Sequence, residues 1–229
     1  MPAPASTPVP DAADDALLTT PLARRLFHEV ARELPVIDFH NHLDPVALAE
    51  DRAFANFTQL CIATDPYKHR ALRIAGVPEA EITGPAPDHL KFDHWAATLP
   101  LALGNPLHPW SRLELHRYFA IPADLPLSPA SAEQIWTTAN ALLARPTHTA
   151  RRLLARGQVA VACTSDRLLD DLSAHAALAR SGYEVRVLPS LRADDITAIE
   201  SPGYLAWLAQ LAAATGIAVN DYDSFRAAV

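Results

Sequence analysis

Pro35-Val-Ile-Asp-Phe-His-Asn-His-Leu-Asp-Pro45 decides how this chain is read. The apolar residues around Asp38 predict a short buried strand over 36–40 that ends by presenting His40 and His42. Side chains alternate along a strand, so Asp38, His40 and His42 are expected on one face and Ile37 and Phe39 on the other. Two imidazoles then converge. Neutral imidazole is the commonest metal ligand, and zinc accepts two such nitrogens when carboxylate or water fills its remaining positions. A lone His-x-His is also what two ordinary histidines at a strand end look like, so the pair needs its context. Asp38 either stands behind a histidine as an orienting carboxylate or makes a structural hydrogen bond.

Outward from this stretch, Thr20-Pro21 is an N-cap followed by proline at the first helical position. Leu22, Leu26, Phe27 and Val30 keep helical spacing up to Pro35. Asp44-Pro45 and Asp65-Pro66 repeat the start signal, and Gly76 closes the second of these helices. Further helices are predicted near 88–99, 111–119, 128–144 and 147–156. The pattern then changes to alternation: strand 158–163, helix 168–180, strand 184–188, helix 203–214, and a helix beginning after Asp221. Such alternation predicts parallel strands with helical crossovers. The expected division is a frayed extension over 1–16, the first strand and its preceding helix over 17–44, a helical insertion over 45–150, and the second and third strands with their helices over 151–229.

A family resemblance runs along most of the chain. Asp38-Phe-His-Asn-His-Leu-Asp-Pro45, Ala49-Glu-Asp-Arg-Ala-Phe-Ala-Asn56, Tyr67-Lys-His-Arg-Ala-Leu-Arg73, Gly104-Asn-Pro-Leu107, Leu113-Glu-Leu-His-Arg-Tyr-Phe119 and Val187-Leu-Pro-Ser-Leu-Arg192 resemble the N-terminal half of uronate (glucuronate) isomerase, a branch of the metal-dependent amidohydrolase superfamily. The resemblance implies an α/β fold, the first three strands of a (β/α)₈ TIM barrel with a helical insertion after the first strand, truncated before the rest of the barrel. It implies a divalent metal, zinc first, at His40 and His42, with a third ligand on a strand that this chain lacks. It also implies isomerisation of D-glucuronate to D-fructuronate and of D-galacturonate to D-tagaturonate. Tyr67 and Arg192 match catalytic positions, and Arg70, Arg73 and Arg192 are the candidates for holding a hexuronate. Arg70 and Arg73 either bind substrate or pair with nearby carboxylates.

Departures from the family pattern bear on substrate identity. Asp65-Pro-Tyr-Lys-His-Arg70 stands where the family has Asp-His-Tyr-Lys-Trp-Arg, so Pro66 replaces an active-site histidine and His69 a tryptophan. Thr164-Ser-Asp-Arg-Leu168 stands for Thr-Thr-Asp-Asp-Pro, and His108-Pro-Trp-Ser-Arg112 for Tyr-His-Trp-Thr-His. A metal-dependent hydrolase of the same superfamily and an inactive fragment are the alternatives.

Composition narrows the rest. Of 229 residues half are hydrophobic and a fifth charged, enough for a sizeable core. A formal charge of −7 gives no basic footprint for nucleic acid, and a carboxylate substrate must be held by local arginines. No apolar run is long enough for a membrane span, and the Pro- and Ala-rich start lacks the form of a signal peptide, so a cytoplasmic enzyme is expected. The partner class is a small-molecule hexuronate, and a homo-oligomer is allowed. Cys61 and Cys163 are expected to be reduced, and His28, His89, His94, His108, His116, His148 and His175 to be surface or capping residues. Seven glycines and no Gly-rich loop argue against a nucleotide cradle.

Overall fold

A computed structural model describes residue 15 and residues 17–229, so the predicted extension over 1–16 lies, Asp15 apart, outside the described residues. In chain order the elements are α1 (Pro21–Glu29), β1 (Val36–Asp38), α2 (Pro45–Ala49), α3 (Phe57–Cys61), α4 (Pro66–Ile74), α5 (Asp88–Thr98), α6 (Leu107–Phe119) and α7 (Ala132–Leu143). There follow α8 (Ala150–Arg156), β2 (Val159–Arg167), α9 (Ser173–Arg180), β3 (Arg186–Arg192), α10 (Asp194–Thr197), α11 (Tyr204–Thr215) and α12 (Tyr222–Ala228). They form two compact units, one of residues before Pro35 with Ala53–Arg156 and one of Pro35–Arg52 with Gly157–Val229.

The first unit is helical, and its starts are written in the sequence. Thr20 Oγ1 accepts the Ala23 amide at 3.1 Å, and Asp65 caps Tyr67 and Lys68 at 2.8 and 3.1 Å ahead of Pro66, satisfying donors that a helix leaves open. Gly76 at φ +85° ends α4, a backbone state that glycine adopts without penalty. The core gathers Phe57, Ile62, Leu72, Phe92, Trp95, Phe119 and Ile135, and the Phe57 ring meets Phe92 and Phe119 edge-on at 5.7 and 5.2 Å. Lys68 is buried at its edge, with Nζ donating to the Cys61 carbonyl at 2.8 Å and carboxylates of Asp65 and Glu114 each at 3.5 Å. Burial pushes the Cys61 thiol up to about 12, which removes it as a nucleophile.

The second unit is a parallel sheet in the order β1-β2-β3. Its strands differ from the predicted ones. β1 stops at Asp38, two residues short, because the Asp38 carboxylate turns back to accept the His40 amide at 3.4 Å and the Asn41 side chain at 3.1 Å. β2 starts one residue late, after Gln158 at φ +56°, and runs four residues further than predicted, to Arg167. β3 likewise reaches Arg192 through Pro189, which an edge strand tolerates. The register continues unbroken to Arg167↔Arg192, so the polar Thr164-Ser-Asp-Arg run is strand, not loop.

The sheet has one covered and one open face. α9 lies over the side of β2 carrying Ala162, Thr164 and Asp166, since His175 of α9 reaches Thr164, and α2 packs beside α9. The opposite face goes from Val161 and Cys163 through Ser165 to Arg167 on β2. On β3 it goes from Leu188 through Ser190 to Arg192.

Candidate functional site

The carboxyl edge of the sheet collects the chemistry. His40 and His42 follow β1 in an extended stretch, both exposed, their rings 5.2 Å apart between centroids and nearly perpendicular at 89°. They stand beyond the strand end, not on it, yet the stretch is fixed. The Asn41 amide donates to the Cys163 carbonyl at 2.9 Å, and Ser165 Oγ on the open face donates to the Asn41 carbonyl at 2.8 Å. Asp38 takes the structural alternative: it shapes the turn beneath the histidines and does not touch their rings.

Commitment of six other imidazoles sets them apart from this pair. His28, His89, His94, His116, His148 and His175 each have a ring nitrogen hydrogen-bonded to a protein oxygen. Among the described residues neither His40 nor His42 has such a bond, so two adjacent imidazoles keep their nitrogens available for a ligand. This is a donor set that suits a divalent ion, supplying two of its ligands. No cluster of three or more His, Cys, Asp or Glu side chains arranged for a metal occurs among the described residues.

Two histidines depart from their expected surface roles. His175 is buried with Nε2 2.7 Å from Thr164 Oγ1, and Thr164 donates in turn to Asp166 at 2.6 Å. That hydroxyl has one proton, so donation to the carboxylate makes His175 Nε2 the donor to Thr164. His148 is buried beneath α6, with Nε2 3.0 Å from the Tyr118 carbonyl. Nothing local marks either residue, because burial of a polar ring depends on partners distant in sequence. His69, in the family's tryptophan position, is also buried, and its Nε2 has no hydrogen-bond partner among the described residues.

Arg192 holds Asp194 through Nε at 3.0 Å, keeping the Asp194 carboxyl below its ordinary value, while its terminal nitrogens make no protein hydrogen bond among the described residues. The other candidates sit on α4 in the helical unit. Tyr67 is exposed at its start, with a hydroxyl uncommitted among the described residues, and Arg70 is exposed. Arg73 takes the pairing alternative: Nε and Nη2 grip both oxygens of Glu79 at 2.7 and 2.6 Å.

That ion pair makes a measurable prediction. The Arg73 guanidinium, with help from Thr83, lowers the Glu79 carboxyl from 4.5 to about 2. Its folded value lies below its unfolded one, so the stabilisation is present above about pH 4.5 and is lost as pH falls toward 2. Carboxyl NMR titration of Arg73→Ala is expected to return Glu79 toward 4.5. An unchanged midpoint would show that Arg73 is not its partner.

The family model described as glucuronate isomerase matches residues 11–229. This chain belongs to the glucuronate isomerase family. Uronate isomerases of Lachnospira eligens and Yersinia enterocolitica are 43% and 42% identical to it over 211 and 210 residues. These alignments cover 92% and 91% of the chain and 45% of each relative, so the chain spans about half the length of the curated relatives it matches. The crystal structure of uronate isomerase from Thermotoga maritima superposes with a TM-score of 0.87 at 31% identity, covering 96% of this chain and 48% of that one. Glucuronate isomerase from Caulobacter crescentus superposes at 0.79 with 24% identity over 86% of this chain and 42% of that one, a likeness of fold. The three-stranded parallel sheet and its helices are thus the architecture of glucuronate isomerase structures over their matched halves. No helix among the described residues is long and apolar enough to cross a membrane.

Proposed function

We propose that this chain contributes the metal-holding histidines and a substrate-gripping arginine of a uronate isomerase. The enzyme interconverts D-glucuronate with D-fructuronate and D-galacturonate with D-tagaturonate in the cytoplasm. The single observation that carries the reading is the adjacent, uncommitted pair His40 and His42 at the carboxyl edge of the sheet, in a chain of this family. In the full-length enzyme the three strands open a (β/α)₈ barrel, whose strand ends hold catalytic groups.

The reaction opens the sugar ring and moves a proton between C2 and C1, so negative charge builds on the C1 and C2 oxygens. His40 and His42 would hold a divalent ion, zinc by its fondness for imidazole, which would supply Lewis-acid stabilisation of that charge. The protein's own groups bind and orient. Arg192 presents its free guanidinium edge to the substrate's carboxylate, a fork that matches two oxygens at once. By the family resemblance alone, Tyr67 is the candidate phenolic donor to the substrate and Arg70 a candidate substrate-binding cation.

Steady-state isomerisation of both uronates by the enzyme at its relatives' full length tests this. Arg192→Ala is expected to lower kcat/KM by about ten- to a hundredfold, the range for a charged hydrogen bond of roughly 1.5–3 kcal/mol. A metal-replete wild type that converts neither uronate but hydrolyses a lactone or ester would replace the isomerase reading with a hydrolase.

A further inference from the structure

We infer that Arg167 joins Arg192 in a two-guanidinium seat for one carboxylate, making Arg167 a specificity-determining residue of this chain; the inference rests on the uronate reading above. The two arginines are register partners at the last rung of the parallel ladder, so their side chains leave the same open face from adjacent strands. The face is the one on which Ser165, two residues before Arg167, fastens the Asn41 carbonyl between the two histidines. Anion-binding groups and metal-binding groups thus share one edge of one sheet.

Two like charges side by side need a shared anion or separate counter-ions. The separate counter-ions are incomplete. Asp195 lies 3.7 Å from Arg167 Nε, beyond hydrogen-bond distance, and Asp194 meets Arg192 at Nε only. Among the described residues the Arg167 guanidinium makes no hydrogen bond at all, and the side chains remain 59% and 42% exposed. Asp194 thus holds Arg192 by its Nε edge alone, Asp195 only stands near Arg167, and the terminal nitrogens of both arginines lack protein hydrogen bonds among the described residues, which suits a carboxylate accepting from both. The competing account is that Arg167 merely pins α10 to the sheet through Asp195.

Titration of the isotope-labelled 229-residue chain, reading the arginine Nε–H signals by NMR, separates the two. D-glucuronate is the probe, with glucuronamide as the uncharged control and acetate as a minimal carboxylate. The expected result is that glucuronate and acetate move both the Arg167 and the Arg192 signals and glucuronamide moves neither. Arg167→Gln should weaken glucuronate binding about tenfold, as expected for losing a charge-assisted hydrogen bond. Asp195→Asn removes the pin but keeps the guanidinium, so it should bind glucuronate at least as tightly as wild type. A pin predicts instead that Asp195→Asn and Arg167→Gln behave alike, and that outcome overturns the seat, as does an Arg167 signal that stays still while Arg192 moves. Silence of both signals overturns it as well. A seat that binds carboxylates in a full-length enzyme without isomerase activity would keep the inference and discard the uronate reading.

Discussion

In a protein of the relatives' full length, replacing His40 and His42 together by alanine is expected, on the proposed function, to remove bound divalent metal and to cut uronate isomerisation by about a thousandfold or more. The estimate follows from what the ion supplies. Lewis-acid stabilisation is worth several kcal/mol, and about 4 kcal/mol corresponds to three decades in rate. Arg192→Ala, which removes one charged contact, should cost far less, so the ratio of the two losses is itself diagnostic. The structural cost of the double replacement is small, since both rings are exposed and lack protein hydrogen bonds among the described residues. The checks are elemental analysis, activity and a melting curve on the same preparations. Equal metal in wild type and variant would remove the histidine pair from the mechanism, whereas loss of metal with an unchanged melting temperature would assign it a functional role.

The histidine pair was legible in the sequence, but its mounting was not. Period-two reasoning extended the strand through His40, whereas Asp38 closes the strand early with its own side chain and passes the histidines to an extended stretch held by Cys163 and Ser165. The same rule applied to β2 erred in the opposite direction. Thr164, Ser165, Asp166 and Arg167 look like a loop because they are polar, yet β3 pairs with each of them. Thr164 and Asp166 stay buried because the Thr164 hydroxyl donates to Asp166 and is itself partnered by His175. Helix starts fared better, since Thr20-Pro21, Asp44-Pro45 and Asp65-Pro66 act through neighbours three residues away at most. α3 escaped notice because five residues carry too little periodicity, and Asn56 caps it with a bond that becomes evident only in three dimensions.

The second large effect is expected from the sheet's apolar surface. β1 and β3 are both edges of a sheet with β2 at its centre, and edge strands offer unpaired backbone groups to any passing strand. Val36, Ile37 and Phe39 are 45%, 65% and 81% exposed, and Leu188 and Leu191 add 37% and 57%. Fully covering a side chain of this kind is worth roughly 1.5–3 kcal/mol, so these five half-exposed residues leave on the order of 5 kcal/mol available to whatever docks on them. Expressed by itself, the 229-residue chain should bind a hydrophobic dye and self-associate as its concentration rises. Ile37→Lys with Leu191→Lys should suppress both behaviours, because each places a charge on an edge strand and neither removes a core residue. In a protein of the relatives' full length the dye response should disappear, since further strands of the proposed barrel would pair with these edges. Analytical ultracentrifugation and dye fluorescence measure both effects. A monomeric, dye-silent 229-residue chain with a sharp cooperative melt would mean that the sheet is stable with these side chains in water, and that no further strand is needed to complete it.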